Sequence, residues 1–301
     1  MATKTKSTSA KDAKKKAPAK KPAAKAKPAA KAKSVQKPVK QAKAPEKKAK
    51  PLGPKPSDPK GAFLWTLRSE NISEEIIDAF DAVDPALFFD KKYAALFYTD
   101  KAAPIGYDQY GDVFLNLARM IHRLNPQKDQ RILEVGTGSG FSTAVLSLLC
   151  KEVVTVDIIE ELAAAAKERL YDNDFGNIRF FAGDATDPEN DYGRIDGAII
   201  HAACRKRPLT VLEQMKPGGA VVYPMGPAHM QQIAVMMNKE DLVRGERFSM
   251  RYYEPGTFSL IYGLFGYDTV EGANMFGEEG EIEPPKSLDS NPFLFQPPKE
   301  D

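Results

Sequence analysis

The chain has 301 residues, with 43 Lys+Arg against 41 Asp+Glu and two cysteines. That length supports one full-sized domain with a real core, and so few cysteines exclude a disulfide-framed scaffold. The near-balance of charge hides a division. Residues 1–60 hold 20 Lys, no Arg and 3 acids (Asp12, Glu46, Asp58), a net +17, whereas the remainder holds 23 basic and 38 acidic residues, a net −15.

Residues 1–60 are Lys, Ala and Pro with almost no large apolar side chain. Such a segment cannot bury enough surface to offset its ordering entropy, so a disordered basic arm is expected. It has no apolar stretch for a signal peptide or membrane span, and it uses Lys where transit peptides use Arg and Ser. A cytoplasmic-type location without a membrane partner follows. The arm suits sequence-independent contact with nucleic-acid phosphates by counterion release, as in linker-histone-like tails. A solubilising tail that folds back on the acidic body is the other reading.

The folded domain is expected over residues 61–270, with an apolar segment from Phe63. Ile72, Ile76, Phe80 and Val83 recur at helical spacing, with Asn71 or Ser73 as N-cap, and Asp84-Pro85 ends that helix. Leu87-Phe88-Phe89 and Leu96-Phe97-Tyr98 are apolar clusters in a loop-rich stretch, followed by a turn at Pro104-Ile105-Gly106. A second helix is predicted from Asp112 to about Leu124, burying Val113, Leu117, Met120, Ile121 and Leu124.

Strands and helices then alternate. Strands are predicted at Ile132–Val135, Val153–Val156, Ile178–Phe181, Ile195–Ile200 and Ala220–Tyr223. Helices are predicted at Ser142–Cys150, Glu161–Tyr171 and Leu209–Met215, with a turn at Pro217-Gly218-Gly219. This rhythm specifies an α/β fold: a Rossmann-like, mostly parallel sheet with helices on both faces. Gln231–Met237, Arg247–Tyr253 and Phe258–Tyr262 follow without helices between them, and read as antiparallel strands added at the sheet edge. Residues 271–301, acidic and Pro-rich, are expected to be a disordered tail whose one apolar spot is Phe293-Leu294-Phe295.

The chemistry concentrates after the first strand, where Glu134-Val135 runs into Gly136-Thr137-Gly138-Ser139-Gly140. Glycines let backbone approach a ligand closely, and Asp157, at the end of the second strand, is placed to accept hydrogen bonds from ribose hydroxyls. A dinucleotide site needs Gly-x-Gly-x-x-Gly with the pyrophosphate at a helix N-terminus. The Gly-x-Gly-x-Gly spacing after Glu134 favours S-adenosylmethionine, which carries no phosphate. A purely structural glycine turn is the competing reading, which Asp157 weakens. His122, His201 and His229 are scattered without metal-ligand spacing, so no metal is expected. Cys150 and Cys204 lie in apolar surroundings.

With these residues in place, the chain resembles the protein-L-isoaspartate O-methyltransferase family over about residues 70–265. The resemblance is carried by Tyr98-Thr99-Asp100, Pro104-Ile105-Gly106-Tyr107, Leu133 to Gly140, Gly183-Asp184, Ala202-Ala203 and Pro208. Leu212-x-Gln214-x-Lys216-x-Gly218-Gly219 leading to Tyr223-Pro224-Met225-Gly226 also follows the pattern. The resemblance implies a class I methyltransferase that transfers methyl from S-adenosylmethionine to L-isoaspartyl (D-aspartyl) carboxylates in damaged proteins. It implies cofactor contacts from Glu134, Gly136, Thr137, Gly138, Gly140, Asp157, Ile158, Asp184 and Ala185.

The substrate-side loop departs from the family, which carries Thr-Ile-Ser there, with a hydroxyl that bonds the substrate carboxylate. Gapless alignment from Pro104 puts Tyr110, Gly111 and Asp112 at those positions and Phe114 at a following Pro. An ionised Asp112 facing an anionic acceptor at about 4 Å costs on the order of 4 kcal/mol at an effective dielectric near 20. Two readings of Asp112 stand: a group facing the acceptor, or an N-cap replacing one capping residue by another. His201 reads more readily as a satisfied polar residue than as a base, and Tyr110 either shapes the pocket or packs. Asp112, Tyr110 and His201 are the candidate catalytic residues. A divergent S-adenosylmethionine-binding scaffold, or a methyltransferase for another acceptor such as an amine, is the alternative function.

Overall fold

The computed structural model describes residues 52–226, 231–243 and 246–261. Most of the arm, all of the tail with Phe293-Leu294-Phe295, and also His229 and Tyr262 lie outside the described residues.

Helix α1 (Pro59–Ser69) starts two residues inside the segment expected to be the arm, because Asp58 caps it by accepting from the Gly61 amide at 2.6 Å. Helix α2 (Glu74–Ala82) follows Ser73, which is extended at the cap position but makes no side-chain cap bond. The loop-rich stretch contains two 3-10 turns at Pro85–Leu87 and Lys91–Leu96. A hairpin of β1 (Pro104–Gly106) and β2 (Gln109–Tyr110) leads into α3 (Phe114–Leu124).

The alternating region is β3 (Arg131–Val135), α4 (Phe141–Ser147), β4 (Glu152–Asp157), α5 (Glu160–Asp172), β5 (Ile178–Ala182), β6 (Ile195–Ile200), β7 (Ala202–Ala203), α6 (Leu209–Glu213) and β8 (Met215–Met225). Two long strands follow, β9 (Gln231–Val243) and β10 (Glu246–Gly256), and then the short β11 (Ser259–Leu260). The main sheet has seven strands in the order β10-β9-β8-β6-β3-β4-β5. Pairing is parallel from β8 through β6, β3 and β4 to β5, and antiparallel for β8 with β9 and β9 with β10. Both faces are covered, so the central strands are apolar along most of their length, with Glu134 and Thr155 as buried polar exceptions. Ile132 and Val153 feed one core, and Leu133 and Val154 feed the other.

Two expectations need correction. The turn at Pro217-Gly218-Gly219 lies within β8, where pairing passes from Ile195↔Met215 to Gly197↔Ala220 and leaves residues 216–219 as a bulge. The third strand-like run does not join the sheet edge. β11 instead pairs in parallel with β7 in a separate two-stranded ribbon. After Gly256 the chain leaves the sheet, held there by Gln231, whose side chain accepts from the Phe258 amide and donates to its carbonyl.

The first core is aromatic. Phe114 of α3 stacks on Phe141 of α4 with ring centroids 4.3 Å apart and planes within 7°. Phe80, Phe88 and Phe89 pack against this pair. These rings give the loop-rich stretch its fixed position, because each fully buried Phe contributes about 1.5–3 kcal/mol.

Candidate active site

β3 is the point where strand order reverses, with β4 on one side and β6 on the other, and this is where an open α/β sheet offers a crevice. A cavity of about 340 Å³ lies there, lined by residues that follow β3, β4, β5 and β6. Gly136 and Gly138 have φ of 97° and 52° and form one wall. A Cβ at Gly138 would come within 3.2 Å of Ile105, and one at Gly136 within 3.4 Å of the His201 Cβ. The positive φ favours glycine at both positions, and at Gly138 a side chain would also press on Ile105.

Asp157 ends β4, lines the cavity and is 7% exposed. Its Oδ2 accepts from the Gly138 amide at 2.8 Å and its Oδ1 from the Ile159 amide at 2.9 Å. Burial raises its pKa, against the lowering effect of those two amides. Each oxygen retains acceptor capacity for a hydroxyl in the cavity. Ile158, Asp184 and Ala185 line the same wall, and Asp184 Oδ1 accepts from both the amide and the hydroxyl of Thr186 at 2.7 Å. Thr137 also lines it, with its hydroxyl 2.7 Å from that of Thr155.

Two residues of the expected cofactor set are not part of the cavity wall. Gly140, at the N-cap of α4, packs on Ala166 and Leu170 of α5. Glu134 is fully buried beneath the loop. Its Oε2 accepts from the hydroxyls of Thr143 (2.5 Å) and Thr155 (2.7 Å).

The other wall brings the three candidate catalytic residues to the cavity. Tyr110, at the end of β2, is 56% exposed at the rim. Asp112 is not a helix cap: α3 begins at Phe114 after an extended Val113. Its carboxylate Oδ2 instead meets His201 Nδ1 at 2.5 Å. The opposite ring nitrogen, Nε2, lies 3.1 Å from Glu134 Oε1 and 3.0 Å from Ser142 Oγ. An imidazole facing a carboxylate through each nitrogen needs a proton on both, so the geometry selects imidazolium. Burial alone would pull the His201 pKa down, but Asp112 and Glu134 outweigh it and push it up to about 10. His201 is thus a satisfied buried cation and not a poised base.

Several wall residues were not foreseen. Ser142 follows the glycine loop by two residues but belongs to no motif. Ser259, Leu260 and Ile261 reach the cavity because β11 pairs with β7, directly after His201. Neither feature leaves a local pattern in the sequence.

The comparisons agree with this geometry. The protein-L-isoaspartate(D-aspartate) O-methyltransferase family profile matches residues 58–257. A relative of that name from Dictyoglomus turgidum is 35% identical over 179 residues, 59% of this chain and 81% of the relative. One from Nitrobacter winogradskyi is 32% identical over 200 residues, 65% of this chain and 92% of the relative. A solved protein-L-isoaspartate O-methyltransferase superposes with a TM-score of 0.60 at 22% identity, covering 69% of this chain and 67% of its own. A Plasmodium falciparum protein solved with S-adenosyl-L-homocysteine superposes at 0.55 and 14%, covering 66% and 95%. At these identities the two structures speak for the fold, while the profile and the two sequence relatives go further: the chain belongs to the protein-L-isoaspartate(D-aspartate) O-methyltransferase family.

Proposed function

We propose that the cavity binds S-adenosylmethionine and that the protein methylates the carboxylate of L-isoaspartyl (D-aspartyl) residues in damaged proteins. The observation that carries this reading is the cavity at the strand-order reversal. Close-approach glycines and Asp157 form one wall, and the Asp112–His201 pair forms the other. The residues present suit the cofactor: Gly136 and Gly138 line the cavity with positive φ and no side chain, and Asp157 is a buried carboxylate open to hydroxyls. When bound, S-adenosylmethionine supplies an electrophilic sulfonium methyl.

The acceptor carboxylate is ionised at neutral pH and is its own nucleophile, so the chain need not remove a proton. Its task is to align the acceptor and exclude water. Phe89, Ile105, Phe114, Leu117 and Phe141 give the cavity an apolar flank that serves exclusion. Asp157 and Asp184 would hold the ribose and adenine ends. The test is methyl transfer from labelled S-adenosylmethionine to an isoaspartyl peptide, with the aspartyl peptide as control. Incorporation as a base-labile ester is expected only with the former. A folded, cofactor-binding protein that labels neither overturns the carboxyl reading.

The organisation proposed around this domain is a basic arm over residues 1–60 and an acidic tail over 271–301. The arm would serve as a non-specific nucleic-acid tether in a cytoplasmic or nucleoid setting, on the strength of its net +17. Among the described residues no helix is long and apolar enough to cross a membrane.

A further inference from the structure

The wall opposite Asp157 is rich in acceptors and poor in donors. Asp112 on this wall and Glu134 buried behind it are both carboxylates, and His201 is the one cation between them. Both His201 protons are committed, Nδ1–H to Asp112 and Nε2–H between Glu134 and Ser142. The hydroxyls of Thr143 and Thr155 donate to Glu134 Oε2, and that of Thr137 is left to donate to Thr155. An anion brought to this wall therefore needs a donor that the cluster has not already used.

Ser142 is that donor. Its oxygen faces a protonated ring nitrogen at 3.0 Å and must accept there, so its own hydrogen points away from His201. Within this cluster it is the one hydroxyl without an acceptor. It also lines the cavity, in company with His201 and Asp112. A hydroxyl whose oxygen accepts from a cation is polarised and donates more strongly.

We propose that Ser142, oriented by the His201–Asp112 pair, anchors the methyl-accepting carboxylate through its hydroxyl. This rests on the carboxyl-methylation reading above and names the group that makes it work beside an acidic residue. His201 and Asp112 are positioning residues in this scheme. They lock the Ser142 oxygen, and His201 offsets the Asp112 charge that would otherwise face the acceptor uncompensated.

The full chain tests this in two measurements. The first is isoaspartyl-peptide kinetics, and the second is calorimetric titration of the same peptide into protein saturated with S-adenosyl-L-homocysteine. Ser142→Ala should raise KM and weaken peptide binding by about ten- to a hundredfold, the range for losing a hydrogen bond to a charged group. Cofactor affinity should stay within about twofold. Ser142→Cys, nearly isosteric but a weak donor, should show the same loss, and Ser142→Thr should restore most of the affinity. Unchanged peptide binding in both Ser142→Ala and Ser142→Cys overturns the proposal. So does a loss confined to S-adenosylmethionine affinity, which would place the hydroxyl on the cofactor. If the unaltered protein methylates no isoaspartyl peptide, the underlying reading fails and takes this one with it, a result visible before any variant is made.

Discussion

His201 and Asp112 stand 89 positions apart in the chain, yet their side chains meet at 2.5 Å across the mouth of the cavity. One follows the central strand β6, and the other sits on the segment between the hairpin and α3. The pair therefore adds a buried polar tie between the N-terminal stretch and the sheet to the aromatic packing that already holds them together.

That contact should make stability depend on alkaline pH. The folded His201 pKa is about 10, above the ordinary value of 6.5. A raised pKa contributes stability that is full below the unfolded value and is lost as pH rises through the folded one. The groups facing the ring are Asp112, Glu134 and Ser142, with Asp157 acting through space. Urea midpoints should fall between about pH 7 and 10 in the unaltered protein, and His201→Gln should flatten that slope. An equal slope in the variant would show that other groups set it.

Asp112→Ser restores the family's residue type but removes one counter-ion of His201. The imidazolium would keep Glu134, so the expected cost is about 1–3 kcal/mol of stability, below the 3–5 typical of a fully broken buried pair. Isoaspartyl methylation at neutral pH should not improve. A tenfold gain in rate with unchanged stability would show that Asp112 acts on the acceptor as a bare charge.

Asp157→Ala should weaken S-adenosylmethionine binding by about 1.5–3 kcal/mol through lost charge-assisted hydrogen bonds. It also frees the Gly138 and Ile159 amides, so the loop itself loosens. Calorimetry on the full chain measures the loss. Binding indistinguishable from the unaltered protein would remove Asp157 from the cofactor site.

Removing residues 1–51 should abolish nucleic-acid binding at low salt while leaving methylation of a short peptide unchanged. With the arm present, affinity for any duplex should fall steeply with salt. Gel shifts over a salt series distinguish this from a solubilising role, for which both forms would behave alike.

Much of the fold was readable because periodicity and punctuation agree. The Ile195–Ile200 strand appears with the predicted bounds, and the glycine loop and Asp157 fall on one wall as their spacing implied. What was hidden depends on distance in the chain. Asp112 reads as a cap in the sequence because Asp caps helices, and nothing local signals a cation 89 positions away. The start of the helix at Pro59 is hidden because Pro59 and Lys60 continue the composition of the arm. Phe258–Tyr262 read as an edge strand because a β pattern does not say which partner it takes, and Leu260 pairs with Ala203.

That last pairing joins folding to function in one short segment. The seven-stranded sheet is complete at Gly256, and Phe258 latches it to Gln231. The next three residues pair outside the main sheet and line the cavity beside His201. A polypeptide ending at Phe258 would lose Ser259, Leu260 and Ile261 from the cavity wall and Ile261 from the second core at the same stroke. Residues 259–261 are thus a shared wall, one side turned to the core and the other to the chemistry.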